Sequence, residues 1–301
     1  MKALAVFQQG PCRRSRMQTV PYIILILPAF IIFTLGIVIP LILGFADSLT
    51  DWNGLNPAKP FVGLKNYLRM FQDPHMRATW LFTAKFTIFN TVIQNVCAIL
   101  LAVILDSGIK LKKTFRTIFF IPCLISPVIV GFVWLKMYGN VLPALCRALN
   151  LNMNVMLFGS GETVLTGLLI ANNWQWIGYW SLIYLAALQS IPASIYEAAT
   201  IDGAGTLKKF FFITLPMLAP AVTVCVVGIT IGSIKVYDLL VSSTNGGPGY
   251  ASTSIILYIY NTAIGGRQYS YGSALSMVLV AVLFLIAAVQ VGILKKREVQ
   301  I

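Results

Sequence analysis

Apolar residues in this chain gather into long unbroken runs instead of one-sided stripes. Six runs approach or exceed the roughly 20 residues needed to cross about 30 Å of hydrocarbon. They cover approximately residues 22–46, 79–105, 117–135, 163–189, 210–237 and 270–294. The first, Tyr22 to Ala46, and the last, Ser270 to Leu294, carry no charge. The second holds Lys85 near its start and the fifth holds Lys235 near its end, where a long side chain can reach the interface. The pattern predicts an all-α integral membrane protein with six transmembrane helices. Composition agrees, because a 301-residue chain that is 58% hydrophobic and 10% charged has more apolar surface than a soluble globule can bury. The same figures exclude a disordered chain.

The formal charge of +13 resembles a nucleic-acid footprint until it is divided by position. An even number of spans puts both termini on one side. The loops of that side, 1–21, 106–116, 190–209 and 295–301, hold 13 of the 22 basic residues, whereas 47–78, 136–162 and 238–269 hold 7 in a longer total length. The positive-inside rule therefore places both termini in the cytoplasm and makes the charge an orientation signal, with no nucleic acid required. Arg13, Arg14 and Arg16 precede the first apolar run as they would in a signal peptide. That run is too long for such a peptide and lacks a small-x-small cleavage site, so it reads as a retained span. The five cysteines, Cys12, Cys97, Cys123, Cys146 and Cys225, follow neither a disulfide nor a metal-site spacing.

The most informative loop is SIPASIYEAATIDGAGTLKKFFFITLP, residues 190–216. Pro192 suits the first turn of a short helix, Gly203 and Gly205 break it, and a second helical run follows. Glu197 and Asp202 are acids in a basic-flanked loop, so the element is either an interfacial anchor or a docking surface. Within the spans, Asn90 and Gln94 lie one turn apart, and Asn172, Asn173, Trp174, Gln175, Trp176, Tyr179, Trp180 and Tyr184 crowd the fourth run. Amides inside hydrocarbon act as interhelical glue or line a polar path. Trp and Tyr at span ends form an interfacial belt or stack on a ligand. Lys235 can snorkel, pair with Asp238 on the same helix face, or meet an anionic solute.

Glu197-Ala198-Ala199, then Gly203, then Ile213-Thr214-Leu215-Pro216 resembles the EAA signature of bacterial ABC importer permeases. Phe61-Val62-Gly63-Leu64-Lys65-Asn66-Tyr67, Phe119-Phe120-Ile121-Pro122, Leu188-Gln189-Ser190-Ile191-Pro192 and Thr244-Asn245-Gly246-Gly247-Pro248-Gly249 are similar to the carbohydrate-uptake, maltose-type branch, across residues 20 to 290. The resemblance implies a type I ABC importer permease: a cytoplasmic segment 1–21, a permease domain 22–294 with coupling loop 190–209, and a tail 295–301. It implies that Glu197, Ala198, Ala199, Asp202 and Gly203 dock on one of two cytoplasmic ATPase subunits, which carry ATP and Mg while this chain binds no cofactor. A tyrosine eighteen residues before the EAA glutamate lines the family's sugar site, which points to Tyr179, and the next span places a second contribution near Ser233. Gly232, Ser233 and Lys235 depart from the asparagine-rich pattern of the maltose permease. The expected substrate path is Tyr179, Trp176, Ser233, Gly232, Lys235, Asn90 and Gln94. Gly246, Gly247 and Pro248 form either a plain tight turn or the dock for an extracytoplasmic solute-binding protein. The Gly-Gly-Pro turn resembles the first-type permease, which pairs with a different second permease as a heterodimer in the bacterial inner membrane.

Other classes find little support. No G-x-x-x-x-G-K-[ST] phosphate loop is present, so the chain is no nucleotide motor. A secondary transporter would need an acidic relay within the spans, and a membrane enzyme would need paired carboxylates. The single histidine, His75, lies in an outer loop.

Overall fold

A computed structural model describes residues 19–107, 110–151, 153 and 155–297. Most of the expected segment 1–21 and the end of the expected tail lie outside them. The described residues are almost entirely helical, with one isolated bridge between Thr50 and Phe61. We number the helices α1 Leu25–Ser48, α2 Lys65–Gln72, α3 Met76–Asp106, α4 Lys112–Phe120, α5 Pro127–Ala148, α6 Val164–Gln189, α7 Ala193–Ile201, α8 Thr206–Met217, α9 Ala219–Ile234, α10 Asp238–Ser243, α11 Ile255–Gly265 and α12 Tyr269–Leu294.

Among the described residues, α1, α3, α5 and α12 are long and apolar enough to cross a membrane, and the α8–α9 pair makes a fifth span if its 68° bend is one crossing. Six are not found by that measure. The shortfall is α6, which at 26 residues is about 39 Å long but is diluted by Asn172, Asn173 and Gln175. The third apolar run also differs from its expected bounds. Instead of one helix over 117–135, α4 ends in a tight turn at Ile121–Leu124 and α5 begins anew at Pro127. Pro122 and Pro127 lack amide donors, and Ser126 is held out of helical geometry before Pro127. A hydropathy run cannot register this break, since prolines and their neighbours there are flanked by apolar residues. Leu218, flanked by Pro216 and Pro220, marks the bend between α8 and α9 in the same way.

Two apolar clusters sandwich a polar layer. On one side Ala98, Leu101, Ala102 and Leu105 of α3 pack with Tyr184, Leu185 and Leu188 of α6 and with Ala221, Cys225 and Ile229 of α9. On the other, Phe82 and Phe86 of α3 meet Val130 of α5, Leu168 of α6, Leu239 and Leu240 of α10 and Leu257 of α11. Small residues permit the closest approaches: a Cβ on Gly178 of α6 would stand 1.9 Å from the Phe119 carbonyl, and one on Gly131 of α5 would stand 1.9 Å from Ser242 Oγ. Helix α1, by contrast, has no buried residue in its apolar window. The Phe61 to Tyr67 segment secures its end, where buried Asn66 donates to the carbonyls of Ser48 (2.9 Å) and Thr50 (2.8 Å) and Tyr67 hydroxyl meets Ser48 Oγ at 2.7 Å.

Candidate functional site

The polar layer is organised by Asn90. Its Oδ1 accepts from Asn172 and Asn173, each at 3.0 Å, and its Nδ2 donates to Ser233 Oγ at 2.8 Å and to Gln94 Oε1 at 3.3 Å. One buried side chain thus joins α3, α6 and α9. Asn95 continues the layer by accepting from Tyr184 hydroxyl at 2.5 Å and donating to the Thr91 carbonyl. Gln175 donates to the Ile125 carbonyl at 2.8 Å, supplying a partner for backbone released by the break between α4 and α5. Every such bond replaces one that water cannot make here, so the network fixes the helices relative to one another.

Beside this network lies a cavity of about 240 Å³ lined by Asn90, Gln94, Asn172, Trp176, Trp180, Gly228, Gly232, Ser233, Lys235 and Asp238 among others. Asn172, Trp176 and Trp180 recur every four residues, so α6 presents one amide and two indoles along one face. Gly228 lies close under the Trp180 ring, where a Cβ would meet the indole at 2.5 Å. Gly232 has open space before it. Gln94 is 2% exposed, and its Nε2 has no acceptor, which leaves an amide donor at the cavity wall. The cavity also adjoins two interruptions, Pro127 at the start of α5 and Lys235 to Tyr237 between α9 and α10.

Of the expected path residues, Asn90, Gln94, Trp176, Gly232, Ser233 and Lys235 line this one cavity. Tyr179 does not. It is 40% exposed and stands edge-on to Trp176 and Trp180, with ring centroids 6.1 and 5.0 Å apart. Asn172 and Trp180 line the cavity with Trp176, and their four-residue spacing from it was the available signal. Lys235 and Asp238 are both exposed and form no ion pair; among the described residues the only one is Lys59 to Asp47.

At the other end of the molecule, α7 and α8 form a hairpin. Glu197, Ala198, Asp202 and Gly203 are exposed and Ala199 is buried. Gly203 adopts φ +75° with open space around it, while its amide reaches the Thr200 carbonyl and the Ala204 amide reaches the Ala199 carbonyl. That paired pattern ends a helix on a left-handed residue, where glycine carries no Cβ penalty. Tyr196 hydroxyl against Thr214 (3.0 Å) and Lys209 Nζ donating to Thr200 (2.7 Å) brace the two arms. Ile201 at 88% and Leu207 at 75% exposure leave apolar groups uncovered beside the two acids.

The Gly246-Gly247-Pro248 turn is built into the fold. Gly246 is buried with φ +84°, and a Cβ there would meet Thr253 Oγ1 at 2.6 Å, while Pro248 is exposed. Nearby Tyr250 stacks on His75 with centroids 4.1 Å apart. Asp73 accepts from Tyr258 (2.5 Å), Tyr271 (2.7 Å) and the His75 amide (3.0 Å). Burial pushes its carboxyl up, and these donors outweigh burial and hold it below its ordinary value.

Comparison with known proteins agrees with this architecture. Residues 94–298 match the family described as "Binding-protein-dependent transport system inner membrane component". The chain is 34% identical over 279 residues to the probable starch degradation products transport system permease protein of Thermoanaerobacterium thermosulfurigenes, covering 93% of this chain and 95% of that one. It is 32% identical to the trehalose/maltose transport system permease protein of Thermococcus litoralis, covering 84% and 86%. Among solved structures, a bacterial ABC transporter involved in import of the acidic polysaccharide alginate shares the fold with TM-score 0.81 at 22% identity, covering 93% of this chain and 96% of that chain. The chain therefore belongs to the binding-protein-dependent transport system inner membrane components, the permease subunits of ABC importers.

Proposed function

We propose that this permease passes a carbohydrate, an oligosaccharide or sugar derivative, from an extracytoplasmic binding protein to the cytoplasm by ATP-driven alternating access. The observation that carries the substrate class is the cavity wall: two indole faces for the apolar side of a pyranose, with amides and a hydroxyl for its OH groups. The relatives named for sugar transport support the same reading.

In this account the chain crosses the inner membrane six times, with α4 and α5 sharing the third crossing, α6 the fourth and both termini in the cytoplasm. The cavity is half of a pathway, closed by a second, different permease whose surface covers exposed Tyr179. The hairpin of residues 190–209 sits in a cleft of one of two ATPase subunits, with Glu197 meeting a basic residue there and Ile201 covered. ATP and Mg reside on those subunits. The outer turn at Gly246, Gly247 and Pro248 meets the binding protein. A rigid hairpin held by Gly203 then turns closure of the ATPases into movement of α6 and α9 about the Asn90 network.

Proteoliposomes holding the complete transporter test this. Uptake of a labelled oligosaccharide should require ATP on the ATPase side and loaded binding protein on the other. Transport by this chain alone on an ion gradient would overturn the proposal. Lys235→Gln refines the solute: unchanged uptake of every sugar tried would mark the substrate as neutral, whereas selective loss of a uronate or phosphorylated sugar would mark it as anionic.

A further inference from the structure

The proposed docking hairpin ends at residue 209, but α8 runs on to Met217 with one face uncovered. Leu207 and Phe211 lie one turn apart on that face, as do Lys208 and Phe212, and all four are exposed, Phe212 at 79%. The opposite face is tied down: buried Thr214 meets the Tyr196 hydroxyl, and Lys209 Nζ donates to Thr200 of α7. The open face therefore points away from α7. Lys208 forms no ion pair among the described residues.

The bend between α8 and α9 points to what covers this face. Helix α9 has 16 residues and is about 24 Å long, short of the roughly 30 Å of a hydrocarbon core. Helix α8, Thr206–Met217, is about 18 Å long, and in line with α9 it would carry the pair to about 42 Å, well past the boundary. At the observed 68° it adds only about 7 Å of height, and the pair then measures about 31 Å, one hydrocarbon thickness. Helix α8 thus lies nearer to the bilayer plane than to its normal. With α9 upright, Phe211 and Phe212 stand about 3 Å beyond its end and Lys208 about 5 Å beyond. At that height the rings meet acyl chains, while an ammonium on a long stem reaches the headgroups.

We propose that α8 is an interfacial helix, seated in the leaflet at its own end of α9 with Phe211 and Phe212 among the acyl chains and Lys208 at the headgroups. The hairpin that shares its bonds with α8 is then held at a fixed height on the membrane surface. The inference rests on α8 and α9 together making one crossing of the membrane and is independent of which solute is carried. The complete transporter in nanodiscs of phosphatidylglycerol and phosphatidylcholine, carrying Phe212→benzoylphenylalanine, provides the test by photocrosslinking and mass spectrometry of the adducts. Phospholipid adducts should form, at least about tenfold more than from Ile201→benzoylphenylalanine beside the hairpin turn. Should the Phe212 variant fail to assemble, Phe211→benzoylphenylalanine on the same face should give the same excess. Adducts chiefly to an ATPase subunit or to the second permease would overturn the proposal. So would equal lipid labelling from the α8 position and from Ile201.

Discussion

The α7–α8 hairpin and the cavity beside Asn90 solve opposite problems. The hairpin leaves Glu197, Asp202, Ile201 and Leu207 uncovered and holds its shape with local bonds, those of Gly203 and Ala204 to the turn before them. The cavity buries Asn90, Gln94, Asn172 and Ser233 and is held by bonds between residues 82 to 143 positions apart, from Asn90 to Asn172, Asn173 and Ser233. On the proposed function, the first surface serves a protein partner that brings its own packing. On the same proposal, the second serves a small polar solute in a place where unmet hydrogen bonds are costly. Damage to each should therefore have a different signature.

The largest effect is expected at the hairpin. Glu197→Lys replaces an exposed acid by a base, and it should leave insertion and folding intact while uptake falls by about 100-fold, the scale of reversing one contact of a charged pair. Membrane abundance and co-purification of the ATPase check it; normal uptake by a well-expressed variant would break the comparison. Asn90→Leu should act in the other way. It strands the amides of Asn172 and Asn173, so thermal stability should drop by about 2 kcal/mol or more before any transport is measured. Trp176→Ala is milder, lowering apparent sugar affinity by about tenfold with stability nearly unchanged.

The smallest effect separates a third region, around Asp73 and the Gly246-Gly247-Pro248 turn. Because the folded carboxyl of Asp73 lies below its ordinary value, the stability it contributes is complete above about pH 3.9 and is lost only as pH falls through the lower folded value. Tyr258→Phe removes one of its donors and should move that acid loss upward in pH. A pH series of thermal midpoints checks it.

The hairpin was legible because its signals are contiguous: Pro192, Glu197, Gly203 and Pro216 lie along one segment, and the bonds that shape it are local. Helices α1, α3 and α12 were legible as apolar runs of the right length. The break between α4 and α5 was not, because Pro122 and Pro127 are embedded in apolar sequence and only their neighbours in space, Gly178 and Gln175, reveal what the break is for. The cavity was legible in part. Residue type named Asn90, Gln94, Trp176 and Ser233, but which aromatic faces inward depends on helix rotation. That rotation is fixed by the close approach of Gly178 to Phe119, which turns Trp180 inward and Tyr179 to the surface.

In the proposed division of labour, the hairpin couples and the cavity carries. Binding-protein-stimulated ATP hydrolysis, measured together with uptake in the same proteoliposomes, tests it most directly. Glu197→Lys should lose both stimulated hydrolysis and uptake, whereas Trp176→Ala should keep stimulated hydrolysis while uptake at low sugar concentration falls about tenfold. Equal loss of hydrolysis and uptake in both variants would contradict the division.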